Sequence, residues 1–457
     1  METADRSARE NGSHSKLSQG HLPAWYVLAW NSRALSVAIS VVILMQITYY
    51  STEVVGLSAA LVGTIFLVSK IFDGITDLIV GFIIDRTNTR LGKARPYELF
   101  IIPLWLLIVF LFSTPDMGTT GKIIYIFVFY TFINSVCTTF LQSSETVYLG
   151  RAVLDDGGRA KILAIGGVIV MLISAVSSMI LPQLMNSWGT LPGGWTKIAL
   201  VYAVPMLVIG LLRFIFIKEK TISNKDEKSN SLGFVEGLKL LSRNKYIFIL
   251  TALILLSFLA TNILGITGTY YFRFIMGDLG LLSLVGMMGL LGPFLFLLFP
   301  LALRKIGSIG FVRIGFTVAA VVCAVRFFFY DNLPVLVISS FLSGIGLTSI
   351  TMINHFFILQ CIEYGELKTG KRVEGTPAAL TNFANKIGSA IASAGTGFIM
   401  ATGGYVSSAS VQPDSALMSI RLLYSLVPAA LSVIMIIILR FFDVEKTLQT
   451  MKKEKTA

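Results

Sequence analysis

The stretch Ser69-Lys-Ile-Phe-Asp73-Gly-Ile-Thr76-Asp77-Leu-Ile-Val-Gly81-Phe-Ile-Ile-Asp85-Arg86 places two carboxylates in a run otherwise apolar enough to cross a bilayer. Asp73 and Asp77 are four residues apart, so on a helix they share one face, one turn apart. A charged side chain at the bilayer centre costs about 3 kcal/mol or more, and such groups face a bundle interior or an aqueous cavity. Two carboxylates this close repel. Both stay ionised only with a cation between them; otherwise one keeps a proton. The pair reads as a cation or proton site, or more plainly as a polar pair hydrogen-bonded for packing.

The whole chain suits that environment. Of its 457 residues 54% are hydrophobic and 14% charged, against about 25% charged in a soluble protein. Runs of about 20 apolar residues mark membrane spans. Twelve are predicted, near residues 24–50, 61–84, 99–112, 123–149, 162–185, 198–217, 247–271, 281–303, 311–329, 333–362, 377–400 and 416–441. The longest hydrophilic interior stretch contains Lys218-Glu-Lys and the amphipathic run Gly233-Phe-Val-Glu-Gly-Leu-Lys-Leu-Leu. It reads as a linker with a helix lying on the membrane surface. The expected organisation is an all-α integral membrane protein. An N-terminal tail (1–23) and a six-helix half (24–217) precede the linker (218–246). A second six-helix half (247–441) and a tail (442–457) follow it. Two six-helix halves around a midplane site is a transporter plan.

The net charge of +12 sits mostly in short breaks between apolar runs, so it is not read as nucleic-acid binding. Even-to-odd connections are basic: Arg86, Arg90, Lys93 and Arg95, then Arg151, Arg159 and Lys161, the linker, Arg304-Lys305, and Lys368, Lys371 and Arg372. The opposite connections carry little, chiefly Lys122 and Lys197. Both termini are therefore expected in the cytoplasm, with the chain in the cell's inner (plasma) membrane. The start of the chain shows no signal-peptide pattern. Cys137, Cys323 and Cys361 lie in apolar runs and read as small buried hydrophobes. Trp25, Tyr26 and Trp30 read as an interfacial belt, while Trp105 and Tyr148 fit either a belt or a stacking surface. No Walker-type phosphate loop, Ser/His/Asp set or His-rich metal motif is present, so ATP-driven transport and catalysis lack candidates.

Four stretches resemble one family, the glycoside–pentoside–hexuronide:cation symporters of the major facilitator superfamily. They are Tyr49-Tyr-Ser-Thr-Glu-Val-Val-Gly56-Leu running on to Asp73-Gly-Ile-Thr76-Asp77; Asp85-Arg86-Thr-Asn-Thr-Arg90-Leu-Gly92-Lys93-Ala-Arg95-Pro96-Tyr; Gly233 to Lys245; and Ile362-Glu363-Tyr364-Gly365-Glu366-Leu-Lys368-Thr-Gly-Lys-Arg372-Val-Glu374-Gly, with Lys386 beyond. The resemblance implies that fold, no cofactor, and a coupling ion, Na+ or H+, held by Asp73 and Asp77. Thr76 stands where a side-chain oxygen helps hold the ion. Thr139 is the candidate for a further hydroxyl ligand, with Thr138 or Thr131 as alternatives. Lys386 matches a lysine near sugar and ion, or snorkels to an interface. The implied partners are a small glycoside or hexuronide, a monovalent cation and the lipid bilayer, with the chain working as a monomer.

The departures from the family pattern fall on the substrate side. Arg33 or Val37 replaces an acid on the first span. Gln142 replaces an acid or amide on the fourth, where Glu145 is unexpected, and Gln360 replaces an acid on the tenth. Gln142, Glu145, Gln360, Asn382 and Lys386 are the substrate candidates. With two acids lost and Arg33 gained, the pocket is expected to be more positive and to suit an anionic sugar, such as a hexuronide, with Arg33 and Lys386 meeting its carboxylate. Arg33 otherwise reads as an interfacial anchor. Gly81, Asp85, Arg86 and Arg90 resemble the superfamily's gating signature, with Arg159, Glu363, Glu366 and Arg372 as partners; plain topology-setting charge is the alternative. Rival readings are a cation-coupled carrier of lysolipids or other amphipaths, and a membrane enzyme or receptor on a transporter fold.

Overall fold

The computed structural model describes residues 22–153, 156–219, 244–369 and 375–456. The amphipathic run of the linker and Arg372 lie outside the described residues. Apart from one antiparallel bridge, Thr89 with Gly92, the named elements among the described residues are helices. We number the main ones α1 (Ala24–Leu44), α2 (Ala59–Arg86), α3 (Ile101–Leu111), α4 (Thr119–Ala152), α5 (Asp156–Trp188), α6 (Gly194–Phe216), α7 (Lys245–Phe274), α8 (Gly292–Ile306), α9 (Ser308–Phe328), α10 (Leu333–Lys368), α11 (Gly375–Thr402), α12 (Asp414–Leu439, broken at Ser425) and α13 (Val444–Thr456).

Nine stretches among the described residues are long and apolar enough to cross a membrane, fewer than the twelve predicted. The shortfall has local causes. The third segment begins as a 3-10 turn, Arg95–Phe100, which leaves α3 only 11 residues. The eighth is interrupted by a second 3-10 turn at Gly289–Leu291. α11 is 28 residues long, but small and hydroxylated residues dilute its apolar content.

The described residues fall into two compact units. One draws on residues 22–47, 71–153, 156–219 and 289–293, the other on 48–70, 244–288, 294–369 and 375–456. In the first unit α1 packs on α5 and α6, and α3 packs on α6. Trp30, Tyr148, Ile162 and Ile217 form a core there. Tyr97, Phe100 and Phe140 stack beside it, with Phe100 and Phe140 ring centres 4.6 Å apart.

In the second unit α7 packs on α11 and α9 packs on α10 and α12, around Tyr246, Phe316, Leu347, Phe357 and Met435. A Cβ on Gly346 would lie 2.3 Å from the carbonyl oxygen of Gly315, so only glycine lets α9 and α10 touch backbone to backbone. The boundary of this unit departs from the linker-defined halves at Thr48–Lys70. Glu53 accepts a bond from the Tyr405 hydroxyl, Thr52 Oγ1 lies 2.8 Å from Tyr270 Oη, and Ser407 Oγ donates to Leu57 O at 2.7 Å. These hydroxyl contacts tie the end of the first segment to helices far along the chain. The stretch after 442 is also more than a loose tail. Val444 and Leu448 of α13 are buried in the second core, and Tyr246 Oη donates to Asp443 Oδ1 at 2.6 Å.

Candidate ion and substrate site

The ion candidates converge within the first unit. α2 presents Asp73, buried, and Asp77, half-buried, on one face. α4 meets that face through a π turn, Phe132–Thr138. A π turn disturbs the regular carbonyl pairing and recurs at functional positions. Here the two threonine hydroxyls take up carbonyls five residues back: Thr138 Oγ1 donates to Ile133 O at 3.0 Å, and Thr139 Oγ1 lies 3.1 Å from Asn134 O. Thr139 Oγ1 is also 3.3 Å from Asp73 Oδ1 and 3.2 Å from Asp77 Oδ1. One hydroxyl carries one proton, so it serves one of these acceptors at a time, and its lone pairs meet the other oxygens favourably only with a cation or proton between them. Thr76 Oγ1 donates to Asp73 O at 3.0 Å, which fixes its proton on its own helix and leaves its lone pairs available. Carboxylate and hydroxyl oxygens gathered this way suit a hard monovalent cation, and the carboxylates alone suit a proton. The π turn has a sequence trace only in hindsight, the polar run Asn134-Ser-Val-Cys-Thr138-Thr139.

The substrate-side expectation for Arg33 needs correction. Arg33 is 3% exposed. It therefore neither snorkels to an interface nor stands open to a substrate carboxylate. Its Nη2 pairs with Glu145 Oε2, its Nε lies 3.8 Å from Glu98 Oε2, and its Nη1 donates to Leu141 O at 2.8 Å. Arg213 completes a four-charge cluster. Its Nε and Nη2 donate to Glu98 at 2.8 and 2.5 Å, and Nη2 lies 2.7 Å from Glu145 Oε2. The Arg213 guanidinium also lies over Trp30, 4.6 Å from the ring centre, and over Tyr148, at 5.0 Å. Two positive and two negative charges cancel, so the extra positive pocket does not arise from Arg33. Trp30 and Tyr148 are core aromatics here, not belt residues, and Trp105 is buried with Nε1 donating to Ser36 Oγ at 2.8 Å. Trp25 alone of the first-span tryptophans is exposed. Glu98 and Arg213 were not singled out in the sequence, although a lone charge inside an apolar segment is itself a signal.

Of the other substrate candidates, Gln142 is exposed on α4 one turn before Glu145. Asn382 is exposed and Lys386 half-buried, one turn apart on α11 in the second unit. Gln360 is displaced from this set. Its Nε2 reaches Glu445 Oε1 of α13 at 3.4 Å, so it contacts the tail helix.

The gating candidates divide similarly. Arg86 and Arg90 are exposed, Glu363 and Glu366 are half-buried, and the side chain of Asp85 lies outside the described residues. A Cβ on Gly81 would meet nothing within 4 Å. Arg159 donates to Val153 O at 2.7 Å and to Gly150 O at 3.1 Å, closing the end of α4. The residue that organises the loop after α2 is Glu219, which the sequence reading passed over as linker. Its carboxylate accepts the backbone N–H groups of Lys93, Ala94 and Arg95 at 3.0, 2.9 and 3.1 Å. Arg95 in turn donates to Phe214 O at 2.8 Å. Gly92, at φ +117°, is required there twice over, because a Cβ would also fall 2.3 Å from Glu219 Oε2.

A multi-helix membrane protein with an oxygen-lined carboxylate pair fits the plan of a secondary transporter. Residues 32–446 match the family described as MFS/sugar transport protein, and the chain belongs to that family. The chain is similar to the isoprimeverose transporter of Lactiplantibacillus pentosus, 28% identical over 408 residues, covering 87% of this chain and 84% of that protein. It is similar to a glucuronide carrier protein homolog of Escherichia coli (strain K12), 26% identical over 407 residues, covering 87% of each. A solved bacterial homolog of the human lysosomal transporter Spinster, inward-facing and unoccupied, shares the fold with a TM-score of 0.64. At 13% identity the likeness covers 94% of this chain and 98% of that one. The protein is thus a multi-pass membrane transporter of the MFS/sugar transport protein family, not an enzyme.

Proposed function

We propose that this protein couples uptake of a glycoside, pentoside or hexuronide to a monovalent cation, Na+ or H+, by alternating access. In this reading it crosses the inner membrane twelve times with both termini in the cytoplasm. Asp73 and Asp77 hold the ion, aided by Thr139 and Thr76, and Gln142, Glu145, Asn382 and Lys386 meet the sugar. The observation that carries the reading is the Thr139 hydroxyl within 3.3 Å of both carboxylates. A bound cation relieves the repulsion between the aspartates and orders that face of α2. Ion and sugar then raise each other's affinity by the same factor. The carbohydrate assignment draws support from relatives named for isoprimeverose and glucuronide.

The test is accumulation in proteoliposomes under an imposed Na+ or H+ gradient. Wild-type protein is expected to concentrate a glycoside, and Asp73→Cys or Asp77→Cys to abolish concentration. Unchanged accumulation in both variants removes the pair from the mechanism. Movement of a lysolipid in place of any sugar replaces the carbohydrate reading with the amphipath one.

A further inference from the structure

We propose that Glu145 is the acceptor for substrate hydroxyls, and that Arg33, Glu98 and Arg213 behind it orient its carboxylate and select neutral glycosides over hexuronides. The inference rests on the carbohydrate-symporter reading above and narrows it to one substrate class.

The four charges are not equivalent in access. The side chains of Arg33, Glu98 and Arg213 are 4%, 0% and 0% exposed, that of Glu145 29%. The two oxygens of Glu145 differ as well. Oε2 faces both guanidinium groups and is shut off from solvent. Exposure therefore falls on the rest of the side chain, and we assign the ligand contact to Oε1, the oxygen that does not face the guanidinium pair. An accessible carboxylate oxygen, held from behind by two buried arginines, is a preorganised acceptor for hydroxyl donors.

Its place on α4 ties it to the ion. Thr139, Gln142 and Glu145 follow one another at intervals of three residues, and so form a stripe along the helix. At about 1.5 Å and 100° per residue, Thr139 and Glu145 are about 9 Å apart along the axis and about 120° apart around it, so the row winds from the side of α4 that meets α2 towards Arg33. The stripe runs from ion ligand, through an exposed amide, to a carboxylate.

The same arrangement disfavours an anion. The cluster sums to zero charge, and its reachable end is the negative one. A hexuronide carboxylate brought there meets like charge, while the Arg33 guanidinium that could answer it is buried and already paired. Exclusion by like charge is a recognised route to specificity.

The experiment is counterflow with full-length protein in proteoliposomes, using a methyl glycoside panel, isoprimeverose and a methyl glucuronide as competitors. Wild type is expected to bind the best neutral glycoside at least about tenfold better than the glucuronide. Glu145→Gln is expected to raise KM for the neutral glycoside about tenfold or more and to narrow the discrimination, with the cation dependence of transport unchanged. The exchange Arg33→Glu with Glu145→Arg is expected to shift preference towards the glucuronide, which a merely structural pair would not do. Folding is followed by size-exclusion profile and thermal unfolding; if Glu145→Gln does not fold, Glu145→Asp, which retracts the carboxylate, should raise the same KM. Neutral-glycoside KM unchanged in the folded variant, or equal competition by both classes in wild type, overturns this inference alone. A wild type that moves neither class with Na+ or H+ overturns the carbohydrate reading and this one with it.

Discussion

Arg213 and Arg326 look alike in the sequence and are solved differently in the structure. Each stands in the last turn of an apolar helix and is followed by phenylalanine, Arg213-Phe-Ile-Phe in α6 and Arg326-Phe-Phe-Phe in α9. Each is fully buried and gains from the negative end of its helix dipole. Each lies against aromatic rings, Arg326 with its guanidinium 4.5 Å from the Tyr424 ring centre. Arg213 is answered by charge, the Glu98 carboxylate at 2.5 and 2.8 Å. The hydrogen bonds of Arg326 go to neutral oxygens: Ser339 Oγ at 2.9 Å, Tyr424 O at 2.9 Å and Ser343 Oγ at 3.0 Å. The difference teaches that a buried guanidinium can be answered by a carboxylate or by neutral oxygens, and that the carboxylate at Arg213 offsets the charge while Nη1 has no hydrogen-bond partner among the described residues. The consequences of breaking the two arrangements should diverge.

The largest effect is expected at the charged pair. Glu98→Gln leaves Arg213 and Arg33 buried with one carboxylate between them and should cost about 3–5 kcal/mol, read by denaturant unfolding in detergent. The double variant Glu98→Leu with Arg213→Met removes both charges of the salt bridge and should lose less than Glu98→Gln. A larger loss in the double variant would mean the pair is worth more than its desolvation penalty. Next comes Ser343→Ala, which takes one acceptor from a buried cation and should cost about 2 kcal/mol. The smallest effect is expected from Arg326→Met, at about 1–2 kcal/mol, because Tyr424 O loses its donor and Pro428, four residues on, has no N–H to replace it. The hydroxyls of Ser339 and Ser343 keep their own acceptors, Leu336 O at 3.2 Å and Ser340 O at 3.1 Å, once the guanidinium is gone. If Arg326→Met proves as damaging as Glu98→Gln, the two sites are energetically equivalent and the contrast fails.

Much of the ion site is readable along the chain, because its main members lie four residues apart on one helix. Helical periodicity alone puts Asp73 and Asp77 together. Thr139 came within reach by resemblance, with Thr138 and Thr131 open, and the π turn explains why a count of residues could not decide. One extra residue in a helical turn rotates every later side chain. The substrate side was much less legible. Arg33 reads as a substrate contact or an interfacial anchor because its partners are Glu98 and Glu145, on segments that only tertiary packing brings near. Gln360 read as a substrate residue because α13, which it contacts, read as a tail. Glu219 read as linker because its three bonds go to backbone N–H groups about 125 residues away, and backbone donors carry no sequence signature.

The sequence by itself determined the membrane environment, the helical architecture and the carboxylate pair, properties of composition or of spacing within one helix, and it pointed to the family through the resemblance of four stretches. It could not say which buried charges are spent on one another. Arg213 and Arg326 carry nearly the same local sequence, and their partners lie 115 positions away at Glu98 and 13, 17 and 98 positions away at Ser339, Ser343 and Tyr424. Electrostatic energy depends on distance in space and on exclusion of water, and the chain acquires both only when its helices pack.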